Sequence, residues 1–188
     1  DITGSYVVSD KPVSVFGGAE CANVPVGVSY CDHLVEQMLP IREWGVEYVV
    51  PPIPKGQMLR AIAAEAGTEV YQDGVLVATL NAGGIWTGSP TNNDTVHRFT
   101  TNGKKIQVVQ YAVSEQFSGP GADPAMSIVP PRDVWLKRHV FKAQPNFANT
   151  LLIVSPTDHI NNLVINGAAP SLSTAWTTIP STNLSWAR

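Results

Sequence analysis

Residues 68–81 read TEVYQDGVLVATLN. Two β-rich runs, 68–72 and 75–81, flank Asp73-Gly74. A two-residue Asp-Gly link suits a type I′ turn, whose central residues both need positive φ, so this stretch predicts a β-hairpin. The same signal recurs at Asn102-Gly103, between the runs 96–101 and 105–112, and at Asn166-Gly167. Residues 47–50 form an apolar strand stopped by Pro51-Pro52. Residues 6–9 and 12–16 flank Asp10-Lys11, and 12–16 alternates in and out as a strand does. The run 58–66 (MLRAIAAEA) favours helix by propensity. Its counterpart 149–154 (NTLLIV) is β-like, however, and propensity is a weak prior, so both read as strands. Residues 34–39 are the one short stretch that looks helical.

That counterpart exists because the chain resembles itself at a shift of about 93 residues. DITGSYVVSDKPVSVFGG (1–18) falls on DTVHRFTTNGKKIQVVQY (94–111) without a gap. Asp32, Pro40-x3-Trp44 and Pro54 fall on Asp123, Pro131-x3-Trp135 and Pro145, and EVYQDG (69–74) falls on NLVING (162–167). The expected fold is all-β: two tandem antiparallel sandwich-like modules from an internal repeat of about 90 residues. Loop-rich bridges and at most one short helix complete it. The parts are a terminal hairpin (1–18), a bridge (19–46), a first β module (47–113), a second bridge (114–136) and a second module (137–188) that lacks its last hairpin. Trp44 and Trp135 read as apolar anchors docking each bridge on a sheet. An orphan hairpin and an unfinished module imply open sheet edges, which template pairing with another strand.

Composition narrows the function. Of 188 residues, 14% are charged and the formal net charge is −3, which offers no electrostatic basis for nucleic-acid binding. No apolar run has the roughly 18–20 residues of a membrane helix. The chain opens at Asp1 without a signal sequence, as a mature chain or an excised piece does. Hydrophobic residues make up 44%, enough for a packed core. The two cysteines, Cys21 and Cys31, stand in a Gly/Pro/Asn-rich stretch. A disulfide between them is the reading adopted, implying an oxidising compartment; two free buried thiols are the alternative.

Groups that suggest chemistry are sparse. Asp32-His33-x2-Glu36 would put His33 and Glu36 on one face of a helix, but no third metal ligand is evident. Asn92-Asn93-Asp94 and Asp123 offer oxygens without the spaced acidic pattern of a calcium loop. No nucleophile elbow or triad is announced, and His97, His139 and His159 read as structural. No catalytic residue, metal site or cofactor is expected. Sequons at Asn93 and Asn183 mark exposed loops if the source glycosylates asparagine. Of five tryptophans (44, 86, 135, 176, 186), Trp86 in GGIWTG is the one expected at the surface.

The segments DITGSYVVSDKPVSVFGGAECANVP, CDHLVEQMLP and WGVEYVVPP, with the later VVQYAVSEQFSGPGADPAMSIVP, resemble the amino-terminal domain family of IgGFc-binding proteins. The resemblance covers nearly the whole chain. It implies a secreted or surface-displayed part of a long mosaic protein, and no catalytic residues. It defines no residue motif for immunoglobulin binding. It also implies a further Val/Gly-rich hairpin beyond the point matching Arg188. The function expected is a non-enzymatic extracellular binding or adhesion module with a protein or glycan ligand, recognised by loops 17–31, 82–94 and 114–122. The alternative is a structural subunit of a fibre or surface assembly, joined to copies of itself by exchange of edge strands or hairpins. An enzyme with a Trp-lined carbohydrate cleft would need two facing carboxylates, and nothing selects a pair.

Overall fold

The structure is a computed structural model that describes residues 2–143, 145, 146 and 148–188. Asp1, with which the expected first hairpin begins, lies outside them. The chain divides into two compact units, Asp1–Trp135 and Leu136–Arg188.

The first unit carries ten strands: β1 (Phe16–Ala22), β2 (Asp32–Gln37), β3 (Glu47–Val50), β4 (Gln57–Ala63), β5 (Thr68–Gln72), β6 (Val75–Leu80), β7 (Ile85–Thr87), β8 (His97–Thr101), β9 (Ile106–Ala112) and β10 (Ala125–Ile128). One helical turn, α1 (Glu115–Ser118), follows β9. Two four-stranded antiparallel sheets form, in the orders β10-β9-β4-β7 and β3-β8-β5-β6. Strand alternation sends Leu59, Ala61, Ile106 and Val108 of the first sheet toward Tyr48, Val50, Val70 and Phe99 of the second, and these fill one buried core. Trp86 packs edge-on to Phe99, ring centroids 5.6 Å apart. The opposite face of the first sheet is also covered. Met58, Val109 and Tyr111 meet Val24 and Leu34 there, under a two-stranded ribbon of β1 and β2.

The Asp73-Gly74 hairpin forms as read, with φ of 53° and 84° at the two central residues. The strands 47–50 and 58–64 are present as β3 and β4, so tertiary pairing overrides helix propensity in MLRAIAAEA. Other expectations are corrected. Residues 34–39 are not helix: β2 pairs with β1 along Phe16↔Gln37 to Ala22↔Asp32, and buries Leu34 alone among its apolar side chains. The bridge 19–46 thus contributes an ordered ribbon. Residues 6–9 and 12–15 form no strands, so 1–18 is not a hairpin. Asn102-Gly103 joins strands of different sheets, because β8 is already flanked by β3 and β5, and β9 by β4 and β10. A turn residue dictates a reversal of the chain; it does not choose the ladder partner.

In the second unit β11 (Ile153–Pro156), β12 (Thr177–Thr178) and β13 (Leu184–Ala187) make a three-stranded sheet in the order β11-β13-β12. This is a single sheet rather than a sandwich. Asn166-Gly167 closes a turn with only the Ile165↔Ala168 bridge, and residues 157–162 are a 3-10 turn. The two Pro-x3-Trp segments take the same form, a 3-10 turn over Ile41–Glu43 and over Arg132–Val134 with the tryptophan closing it. Both tryptophans are half-buried.

Two polar devices lock the sandwich. The wholly buried Tyr48 hydroxyl accepts the Gly45 N–H at 2.9 Å and donates to the Ile106 carbonyl, tying the two sheets together. Burial pushes this phenol well above its ordinary range. On the outer face, Glu47 accepts from Arg98 Nε at 2.8 Å and from Arg132 Nη1 at 3.0 Å, clamping the second 3-10 turn to β3. Burial works to raise the Glu47 carboxyl, but the Arg98 and Arg132 hydrogen bonds outweigh it and hold it below its ordinary 4.5.

Tyr48→Phe leaves the Gly45 amide and Ile106 carbonyl with a poorer pairing. The expected loss is about 1–3 kcal/mol, read as a lower urea midpoint at unchanged m-value; an unmoved midpoint would remove this role from the hydroxyl. A lowered folded-state carboxyl stabilises above its unfolded value and stops doing so as pH falls through the folded one. Stability is therefore expected to hold down to about pH 4.5 and then fall, and Glu47→Gln should make that acid fall shallower. Equal acid limbs in the two proteins would contradict the clamp.

Candidate binding surface

β4 and β9 run antiparallel with Gln57 opposite Ala112, so the start of one and the end of the other share a pole of the sandwich. Three loops converge there. Thr91 pairs with Gln57 through reciprocal backbone bonds of 2.7 and 2.8 Å, bringing in the second half of loop 82–94. Gly56 (φ 110°) stands where a Cβ would lie 2.6 Å from the Thr91 carbonyl oxygen and 3.0 Å from Ser118 Oγ, so loop 114–122 meets it. Ser114, fully buried, then grips the third loop: its Oγ accepts the Val24 N–H at 2.9 Å, and its own N–H donates to the Val24 carbonyl at 2.7 Å. The peptide bond Val24-Pro25 is cis.

Val24 belongs to the loop closed by the Cys21–Cys31 disulfide, whose Cα atoms are 5.1 Å apart. The bond sits at the loop end of the β1–β2 ribbon, beside the Ala22↔Asp32 pair. The loop is thus fastened twice, by the disulfide at its neck and by Ser114 on its inner side. Its outer side presents Val26 at 90% exposure and Tyr30 at 64%. Ser29 N–H also donates to the Gln116 side chain of α1. The disulfide-closed end of loop 17–31, the second half of loop 82–94 and loop 114–122, far apart in sequence, meet at this end of the fold, while Gly83 and Gly84 bond Ala63 at the other end of β4.

Beside them a cleft of about 210 Å³ opens between the ends of the two sheets, lined by Gln57, Leu59, Gln72, Trp86, Thr91 and His97 among others. Trp86 is half-buried, its inner side in the core and part of it toward this cleft. His97 Nδ1 lies 2.7 Å from Asp73 Oδ2, while Asp73 Oδ1 accepts the Arg98 N–H at 2.8 Å. Burial works to raise the Asp73 carboxyl; the His97 and Arg98 hydrogen bonds outweigh it and hold it low. The Asp73 that makes the hairpin turn therefore also orients a histidine.

The other candidates stay apart. His33 is exposed, bonded to its neighbour Asp32 at 3.0 Å. On the strand β2, residues three apart point to opposite faces, so His33 and Glu36 are not a shared ligand pair. Asp123 lines a small depression with Lys55 and Gly121, and Asn92, Asn93 and Asp94 are not among its lining residues. Among the described residues no three His, Cys, Asp or Glu side chains gather as a metal site, and no helix is long and apolar enough to cross a membrane. His139 contacts the Leu136 carbonyl, and His159 pairs loosely with Asp158 at 3.7 Å. Asn93 and Asn183 are both exposed. Sequence reasoning passed over Gln57, Gln72 and Gln110. The available signal was a glutamine at an inward position of an apolar strand, as in QMLRAIA, where a polar group needs a partner.

A two-sheet antiparallel sandwich, overlaid by a disulfide-closed ribbon and gathering its loops at one pole, is a loop-presenting β-scaffold. The chain belongs to the IgGFc binding protein family, whose sequence profile matches residues 1–188. It is 27% identical over 192 residues to the Homo sapiens protein named IgGFc-binding protein, an alignment that takes in 100% of this chain and 4% of that relative. The chain thus spans a small fraction of the relative's length. No solved structure matches it.

Opening the disulfide removes the constraint on a short loop. Cys21→Ser with Cys31→Ser is expected to cost about 2–3 kcal/mol and to speed hydrogen exchange at the Val24 amide. Wild-type protection of that amide in the double variant would show that Ser114 alone holds the loop.

Proposed function

We propose that this chain is a non-enzymatic extracellular module that binds a protein ligand through the loop pole, within a secreted or cell-surface adhesive protein. One observation carries the reading. The Cys21–Cys31 loop is fastened at its neck and along its inner side, yet turns Val26 and Tyr30 out to solvent. Exposed apolar and aromatic side chains on a stiff loop lose little entropy on binding and bury area well. The disulfide suits an oxidising compartment, and family membership supports a binding role. The strand-exchange alternative rests on an orphan hairpin over 1–18 and an unfinished second module, and the described residues do not form that hairpin.

The relative's name makes an immunoglobulin Fc fragment the first probe. Val26→Ser with Tyr30→Ser is expected to weaken capture on immobilised Fc at least tenfold, about 1.4 kcal/mol, with the thermal midpoint unchanged. Equal capture by variant and wild type would move the contact away from the loop, and no capture by wild type would remove Fc as the ligand.

A further inference from the structure

The cleft beside Trp86 contains an orphan. Gln57 is 1% exposed, and its Nε2 has no hydrogen-bond partner. Its orientation is dictated by Gln110. The Gln110 amide nitrogen donates both to the Pro51 carbonyl at 2.8 Å and to Gln57 Oε1 at 2.5 Å. Exchanging the oxygen and nitrogen of Gln57 would set two amide NH2 groups against each other. The oxygen of Gln57 is therefore committed to Gln110, and its two N–H bonds are left over. A buried donor without an acceptor is costly, and Gln57 is one of the residues that line the cleft.

The other walls define the rest of the ligand. No lining residue carries a fixed charge, and both Asp73 oxygens are taken by His97 and the Arg98 amide. An ionic ligand would enter without a counter-charge, which burial penalises. With the Asp73 carboxylate 2.7 Å from Nδ1, the tautomer that carries its hydrogen on Nδ1 leaves Nε2 as an acceptor. The Gln72 amide lies 2.9 Å from the same Nδ1, and in this tautomer it can bond there only through its oxygen. Trp86 and Leu59 supply an apolar wall. The ligand that suits this lining accepts on one side, donates on another, is uncharged, and has an apolar flank.

The geometry points to a single neutral sugar ring, a hexopyranose, held by Gln57 and His97 through its hydroxyls and by Trp86 along its C–H flank. Hydroxyls both donate and accept, and a pyranose presents an apolar face to an indole. The carboxamide of a partner protein would satisfy Gln57 and His97 as well, but it is flat and small and leaves the tryptophan side unfilled. The site goes beyond the protein-binding reading and does not depend on it, since Val26 and Tyr30 do not line the cleft.

The test is titration of isotope-labelled protein with the methyl glycosides of glucose, galactose and mannose at millimolar concentration. Glycerol serves as a polyol control and propionamide as a carboxamide control. At least one glycoside is expected to shift the Trp86 indole N–H and the Gln57 NH2 signals saturably, with the Trp44 and Trp176 indoles stationary. Gln57→Leu should weaken that binding at least tenfold. His97→Leu, which leaves the Gln57–Gln110 bond intact, should do the same and serves if the first variant does not fold. No saturable shift with any glycoside overturns the proposal, as does a response to glycerol equal to that of the sugars. Saturation by propionamide alone overturns it in favour of a protein side chain. None of these outcomes bears on capture of Fc by the disulfide loop.

Discussion

Strand β9 is buried on both faces, and the first unit is arranged around that constraint. Its sequence IQVVQYA leaves only the final alanine half-buried. Ile106 and Val108 face the second sheet; Val109 and Tyr111 face the ribbon. Both edges are occupied, by β4 and by β10. A strand with no solvent face needs cover on each side. The second sheet supplies one, and the β1–β2 ribbon with its disulfide loop supplies the other. The ribbon is therefore part of the core, although two strands alone are marginal in water.

The same burial explains where the interior turns polar. Gln107 and Gln110 lie on opposite faces of β9 and each must find partners. Gln107 donates from Nε2 to the Val108 and Val129 carbonyls. Gln110 bonds Pro51 and Gln57, joining the chain after β3 to the start of β4. That satisfies Gln110 at the expense of Gln57, whose Nε2 is left without a partner. Buried polar groups in native proteins are nearly always satisfied. An unsatisfied one beside a cavity, with a carboxylate-oriented histidine and an indole, is where the packing logic gives way to a binding logic.

Much of this fold is legible in local chemistry. Asp73-Gly74 announces its hairpin, Pro51-Pro52 ends β3, and Cys21 and Cys31 stand close enough in sequence to bond. MLRAIAAEA becomes strand by pairing with β9, whereas its counterpart NTLLIV is strand only from Ile153 on. Where reading failed, a partner distant in sequence decided. Residues 34–39 carry no strand signal of their own and become β2 because β1 lies alongside and Leu34 is needed over Met58 and Val109. Asn102-Gly103 turns the chain as its residues require, but the strands it links were claimed by other ladders.

The sequence by itself determined an all-β chain, its tight turns and its family, since each rests on residues close together or on a pattern running the whole length; that Cys21 and Cys31 are bonded rather than free was decided by the structure. Only the tertiary structure decided that three loops share a pole and that Asp73 orients His97. It alone also decided that Gln57 is left with an unpaired donor. These depend on which strands pair and which faces meet, and burial across the sandwich is settled by the sum of contacts made between segments, which no single segment encodes.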